Sequence, residues 1–271
     1  MLSFLDHAEE YLAAVPGKQA VLAFAAGSFI AFGAVLSVFL TVGVSPSGVA
    51  RLLLGLGFAA GFTMVILSGA ALFTEINVLL PTFFLDRRSA TARLVRFWMI
   101  VYVGNLAGAL FVGAMIDAGH VLGPEQVERL REIIVEKTRF HDEGTAGWFA
   151  VVASGVLGNW LVGMAAFIAA AARTVPGKIL GILFPIVTFV ALGVQHGPAN
   201  MGYFAVGLIH GETETSWGEA FAWNLAPATL GNILGGAILV ALLFWYTFGS
   251  DPRRRSALLR AQELVREDGG R

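Results

Sequence analysis

The chain has 271 residues, 56 % of them hydrophobic and 14 % charged, with mean hydropathy +0.73 and a formal net charge of −1. A soluble domain carries about 25 % charged residues, so the composition excludes an ordinary soluble globule and specifies an all-α polytopic membrane protein. Cysteine is absent, which excludes disulfides and thiolate metal sites.

Acidic Asp6, Glu9 and Glu10 precede the first apolar segment where a cleavable signal would be basic, so no signal peptide is expected. Residues 2–15 read as a short amphipathic helix, part of a cytoplasmic segment 1–18. Charged residues then punctuate six spans. Lys18 to Arg51 encloses the first. Leu52 to Thr74 opens the second, which Glu75 interrupts and Ile76 to Leu85 resumes. Phe97 to Ile116 is the third, and the fourth lies within Gly144 to Ala172. The fifth lies in the charge-free stretch Ile179 to Gly211, and the sixth within Ala220 to Ser250. Trp98, Tyr102, Trp148, Trp223, Trp245 and Tyr246 fall near span ends, as interfacial aromatics do. The polar loop 117–146 between the third and fourth spans is expected to be partly helical. The segment 250–271 should carry a basic amphipathic helix over 252–265, at an anionic lipid surface. An even number of spans places both termini on one side. That side holds 13 of the 18 basic residues, so the positive-inside rule makes it the cytoplasm.

The chain also repeats itself. Gly104-Asn105-Leu106-Ala107-Gly108 in the third span matches Gly231-Asn232-Ile233-Leu234-Gly235 in the sixth, 127 residues later, and Gly27 in the first matches Gly155 in the fourth. Polar residues interrupt the second span at Thr74, Glu75 and Asn77, and the fifth at Gln195, His196 and Asn200. Three spans per half put the second half, 147–249, upside down relative to the first, 19–116. The expectation is an inverted 3+3 repeat whose second and fifth helices are both broken. Paired broken spans point to a translocation site, because irregular backbone at membrane depth persists only where it is buried in protein or lines a cavity.

His196 is the sharpest candidate there. Gly197 and Pro198 free the neighbouring backbone from helix bonding, and an intramembrane ionisable residue is by default functional, although a structural histidine between helices is the competing possibility. Glu75 is the second candidate, since a charge at the centre of a span costs about 2.5–3.5 kcal/mol; it could equally cap a half-helix. Asn77, Asn105, Asn159, Asn200, Asn224 and Asn232 fit interhelical hydrogen bonding. Phe58, Phe62, Leu72, Phe73, Val162 and Phe189 are core by type and become constriction residues only if the breaks line a pore. Enzyme chemistry has little support. Ser154, in VASG, has no marked partner, and His7, His120, His141 and His210 lie at or beyond span ends. No enzymatic activity, cofactor, metal or nucleic-acid partner is expected.

The motifs GAALFTEIN (69–77), GNLAGAL (104–110), GNWLVGMAAF (158–167), GVQHGPANM (193–201) and NLAPATLGNILGG (224–236), with FWYTFG (244–249) at the end, resemble the formate/nitrite transporter family over roughly residues 20–248. The resemblance implies an aquaporin-like fold of six helices, assembled as a homopentamer in the bilayer with one pore in every protomer. It implies passage of a small inorganic or carboxylate anion such as formate, nitrite, hydrosulfide, acetate or lactate. It makes His196 the central pore histidine and Thr74 the threonine of the broken second helix. Gln195, Asn159, Asn200 and Asn224 become polar pore positions. Phe58, Phe62, Leu72, Phe73, Val162 and Phe189 fall at or near two hydrophobic constrictions.

The sequence departs from that pattern in three places. Gln195 stands where relatives have Glu. Ala71 stands where they have an acid, which is here displaced to Glu75. Glu143 or its neighbours stand where they have a lysine at the extracytoplasmic mouth. Glu143 in the vestibule would repel anions. The expectation is therefore a channel or proton-coupled carrier for a small weak acid in a bacterial or archaeal inner membrane. The alternatives are the same pore passing a neutral solute or a cation because of Glu75 and Glu143, or a non-transporting receptor or scaffold.

Overall fold

The structure is a computed structural model that describes residues 2–45, 47–87, 91–211 and 213–249. The described elements are helices: α1 (Leu2–Ala13), α2 (Pro16–Phe39), α3 (Ser47–Ser68), α4 (Phe73–Arg87), α5 (Thr91–Ala118), α6 (Pro124–Thr138), α7 (Gly144–Ala171), α8 (Val175–Ala191), α9 (Gly197–His210) and α10 (Trp217–Phe248). Among them α2, α3, α5, α7 and α10 are long and apolar enough to cross a membrane, and α8 is a shorter apolar helix. Apolar side chains cover the bundle exterior, among them Met99, Phe149, Phe184 and Leu230, as expected where lipid or another subunit takes the place of water.

Both interrupted spans are broken, but not where the charged side chain suggested. The second breaks over residues 69–72 and the fifth over residues 192–196. Each break turns on a glycine in the left-handed region, Gly69 at φ 70° and Gly193 at φ 69°, a conformation that side chains with a Cβ rarely adopt. Glu75 is no breaker; it lies in the first turn of α4, where a carboxylate suits the helix N-terminus.

A backbone released from helix bonding at this depth must find other partners, each unmet group costing several kcal/mol. In the first break, Asn105 supplies two of them and ties the break to α2. Its Nδ2 donates to the carbonyls of Ala23 (2.8 Å) and Ala71 (3.0 Å), and its Oδ1 accepts from Phe73 N–H (2.8 Å). In the second break Asn232 repeats the pattern. Its Nδ2 donates to Gly155 O (2.8 Å) and Gln195 O (3.1 Å), and its Oδ1 accepts from Gly197 N–H (2.8 Å). The remaining groups are met by neighbours. Ala71 N–H donates to Leu22 O, and Gln195 N–H donates to Ser154 Oγ, which gives Ser154 a structural partner. The Tyr11 hydroxyl donates to Gly69 O and Ala70 O, and Lys137 Nζ to Val194 O (3.3 Å).

Glycines let the helices close on these asparagines. A Cβ on Gly27 would overlap the Asn105 backbone, one on Gly108 the Phe24 carbonyl, one on Gly231 the Val152 carbonyl and one on Gly235 the Val156 carbonyl. These are close backbone contacts of the small-xxx-small kind that drives helix association in membranes.

Two elements close the bundle ends. The helix expected over 2–15 is α1, with Leu5, Ala8, Tyr11 and Leu12 buried against the spans. The loop after α5 forms α6, held by buried Leu130, Ile133 and Ile134, and a 3-10 turn, Arg139–Glu143. The basic helix expected over 252–265 lies outside the described residues.

Candidate functional site

The two breaks bring Thr74 and His196 together at full burial. His196 is the N-cap of α9 and its Nδ1 accepts from Ala199 N–H (3.1 Å). With that lone pair engaged, the neutral ring carries its hydrogen on Nε2 and donates it to Thr74 Oγ1 at 2.9 Å. The histidine is thus a positioned hydrogen-bond donor, and the threonine hydroxyl keeps its own hydrogen for another acceptor.

On the α6 side, two rings lie over this pair. Phe58 of α3 and Phe189 of α8 meet edge to face with centroids 5.4 Å apart, and their centroids lie 6.3 and 5.2 Å from that of His196. Beyond them opens a funnel of about 970 Å³, walled by the ends of α2, α3 and α8, by α9 and by α6. One helical turn past Phe58 along α3 stands buried Phe62, and α7 contributes buried Val162. One further turn along the same two helices, Ile66 and Ala166 line a small cavity of about 40 Å³ at the α1 end, together with Glu75, His7 and Lys178. Polar Thr74 and His196 therefore sit between apolar rings above and apolar side chains below.

Leu72 is fully buried in the first break. Phe73 packs on α5, with its ring 5.0 Å from Tyr102 and 6.5 Å from Trp98, so the structure ties it to the helix interface and not to the rings around His196. Gln195, Asn200 and Asn224 form one buried amide cluster. Asn200 Nδ2 donates to Gln195 Oε1 (2.8 Å) and Asn224 Oδ1 (2.6 Å), while Asn224 Nδ2 donates to Gln195 Oε1 (3.2 Å) and to the Lys137 carbonyl (2.8 Å). Asn159 bonds the Asn232 carbonyl through Nδ2, and its buried Oδ1 has no partner.

The vestibule needs a correction. Glu143 ends the 3-10 turn as an exposed residue packed over the start of α7, and it does not line the funnel. The cations that line the funnel are Lys137, six residues earlier, Arg51 and Arg129, and the carboxylates of Glu125, Glu128, Glu132 and Glu136 line it with them. The turn of 3-10 helix after α6 shifts the loop register, so counting back from Asn159 falls on the wrong residue. The sequence signal available was that Lys137 is the only lysine between Lys18 and Lys178. Half-buried at the funnel floor, Lys137 loses water, which lowers its pKa to about 8 against the opposing effect of Glu136.

A membrane-spanning helical bundle with two broken helices, and a buried hydrogen-bonding pair between apolar constrictions that a funnel and a smaller cavity approach from opposite ends, is the architecture of a channel or carrier. The chain belongs to the formate/nitrite transporter family, whose model matches residues 2–246. It is 37 % identical over 246 residues to a probable formate transporter of Methanothermobacter thermautotrophicus, covering 86 % of this chain and 89 % of that one. Among solved structures it resembles an FNT family ion channel (TM-score 0.78, 26 % identity, 90 % of this chain and 98 % of that one). It also resembles a pentameric formate channel with formate bound (TM-score 0.71, 26 % identity, 86 % and 97 % coverage).

Proposed function

We propose that the protein passes small monovalent weak-acid anions, with formate as the type substrate, through a pore in each protomer of a homopentamer. The observation that carries this reading is the buried Thr74–His196 pair under the Phe58 and Phe189 rings, with Phe62 buried one turn further along α3 and Val162 buried on α7. A bare anion entering so narrow an apolar passage loses its hydration at high cost. Lys137 concentrates the anion in the funnel, and protonation lets the solute cross as the neutral acid. The Thr74 hydroxyl, held by His196, then replaces one of the hydrogen bonds lost with water.

The wider reading follows the family: an inverted 3+3 repeat, both termini in the cytoplasm, a bacterial or archaeal inner membrane, and transport without enzymatic turnover. The matched hydrogen bonds of Asn105 and Asn232 support the repeat, and the side bearing most of the basic residues supports the orientation. A second reading, a pore for a neutral solute or a cation, rests on Glu75 and on the funnel carboxylates Glu125, Glu128, Glu132 and Glu136, since Glu143 lies outside the funnel wall. Purified protein in proteoliposomes, assayed for flux of formate, nitrite, hydrosulfide, lactate and ammonium at two pH values, tests both. Formate or nitrite flux that His196→Ala abolishes in an intact assembly is the expected result. Ammonium flux without anion flux would favour the second reading, and no flux of any solute would favour a receptor or scaffold.

A further inference from the structure

The small cavity at the α1 end holds a group that the reading above leaves unused. Glu75 is 7 % exposed, and its Oε2 has no hydrogen-bond partner. A buried carboxylate oxygen is an acceptor that ordinarily finds a donor. The Glu75 side chain also lines a space of about 40 Å³, enough for a water or for the hydroxyl of a small acid. The cavity lies on the pore line, because Ile66 and Ala166 follow Phe62 and Val162 by one helical turn each. Its other end reaches exposed His7 of α1 and half-exposed Lys178 of α8. The titratable groups around Glu75 are thus His7 and Tyr11 of α1 and Lys178 of α8; α3 and α7 present only apolar side chains to the cavity.

Resting on the transport reading, we infer that Glu75 is the proton acceptor at the cytoplasmic exit of the pore. A weak acid that has passed Phe62 and Val162 as the neutral molecule meets the Glu75 carboxylate. The acid's O–H bond breaks and an O–H bond forms on Glu75, leaving the solute as its anion. The anion moves toward the Lys178 ammonium, which favours negative charge. Glu75 then returns its proton to water in the cavity, so no other reactant is needed.

The test is formate influx into right-side-out membrane vesicles containing the full-length assembly, with external pH fixed and internal pH varied. Wild-type influx should fall as internal pH is lowered, because a protonated Glu75 accepts nothing. Glu75→Gln should lose most of the influx and all of the dependence on internal pH, with assembly size unchanged. If Glu75→Gln keeps the wild-type rate and the wild-type internal-pH profile, the inference is overturned while the transport reading stands. If Glu75→Gln does not assemble, Glu75→Asp decides. A shifted internal-pH midpoint supports the acceptor role, and an unchanged midpoint overturns it. A wild-type protein that passes neither formate nor nitrite overturns the transport reading and this inference with it.

Discussion

Thr74 and His196 are 122 residues apart in the chain and 2.9 Å apart in space, Thr74 just past the break in the second span and His196 the last residue of the break in the fifth. The bond forms because two helices stop short of the membrane centre and two others start there. Replacing Thr74 with Val keeps the shape and removes the hydroxyl. The buried His196 Nε2–H then loses its acceptor, at a cost of about 1–3 kcal/mol. Thr74→Val should lower formate flux severalfold or more and reduce the melting temperature modestly, while Thr74→Ser should retain most of both. Flux of Thr74→Val equal to that of wild type would remove the hydroxyl from the transport path.

Lys137 should make anion uptake depend on external pH. Its pKa of about 8 means the ammonium is charged at pH 7 and increasingly neutral above pH 8. At an effective dielectric of about 20, a unit charge ~8 Å away contributes roughly 2 kcal/mol before salt screening. Lys137→Gln should therefore depress formate influx at pH 7, most clearly at low ionic strength. Lys137→Arg, which stays charged, should lose less influx than wild type between pH 7 and pH 9. Superimposable pH profiles for Lys137→Arg and wild type would show that this charge does not control entry. Glu143→Lys, which lies outside the funnel wall, should change influx little.

Asn105 and Asn232 predict a matched pair of stability losses. Each makes three hydrogen bonds at a break. Leucine at either site leaves one N–H and one carbonyl of the break without that partner, at about 1–3 kcal/mol for each group stranded in the interior, and removes the tie to a neighbouring helix carbonyl. Detergent-solubilised Asn105→Leu and Asn232→Leu should both melt well below wild type. Wild-type melting of either variant would mean that its break is held by other contacts.

Helix approach gives a contrast in one residue type. Gly27→Ala would drive a methyl into the Asn105 backbone, whereas a Cβ at Gly17 meets nothing within 4 Å. Gly27→Ala should therefore fail to assemble or melt early, since backbone cannot yield as a side chain can, while Gly17→Ala behaves as wild type. Size-exclusion profiles of the two variants decide it.

Much of this protein was legible from residues alone. Charge-free stretches bounded by arginine and lysine mark the spans, because a charge inside hydrocarbon is costly at any position in any fold. The paired breaks were legible for a similar reason: Gly193, Pro198 and the polar run around His196 are local signals of backbone leaving the helix. Even the shared asparagines of the third and sixth spans stood out as a repeat. Their role did not, since nothing in Gly-Asn-Leu-Ala-Gly says that Asn105 reaches across to Ala71 and Phe73. The Thr74–His196 bond, Ser154 beneath Gln195 and Tyr11 over the first break are likewise contacts between distant segments, and no local pattern encodes them. The vestibule shows the same limit more sharply. Counting residues back from Asn159 points to Glu143, yet a helix followed by a 3-10 turn puts Lys137 on the funnel floor. Sequence separation measures contour length, whereas the field an anion meets depends on through-space distance and on how much water the surrounding helices exclude. Local chemistry by itself determined the spans and the breaks; only the packing of the spans decided which side chains share the path.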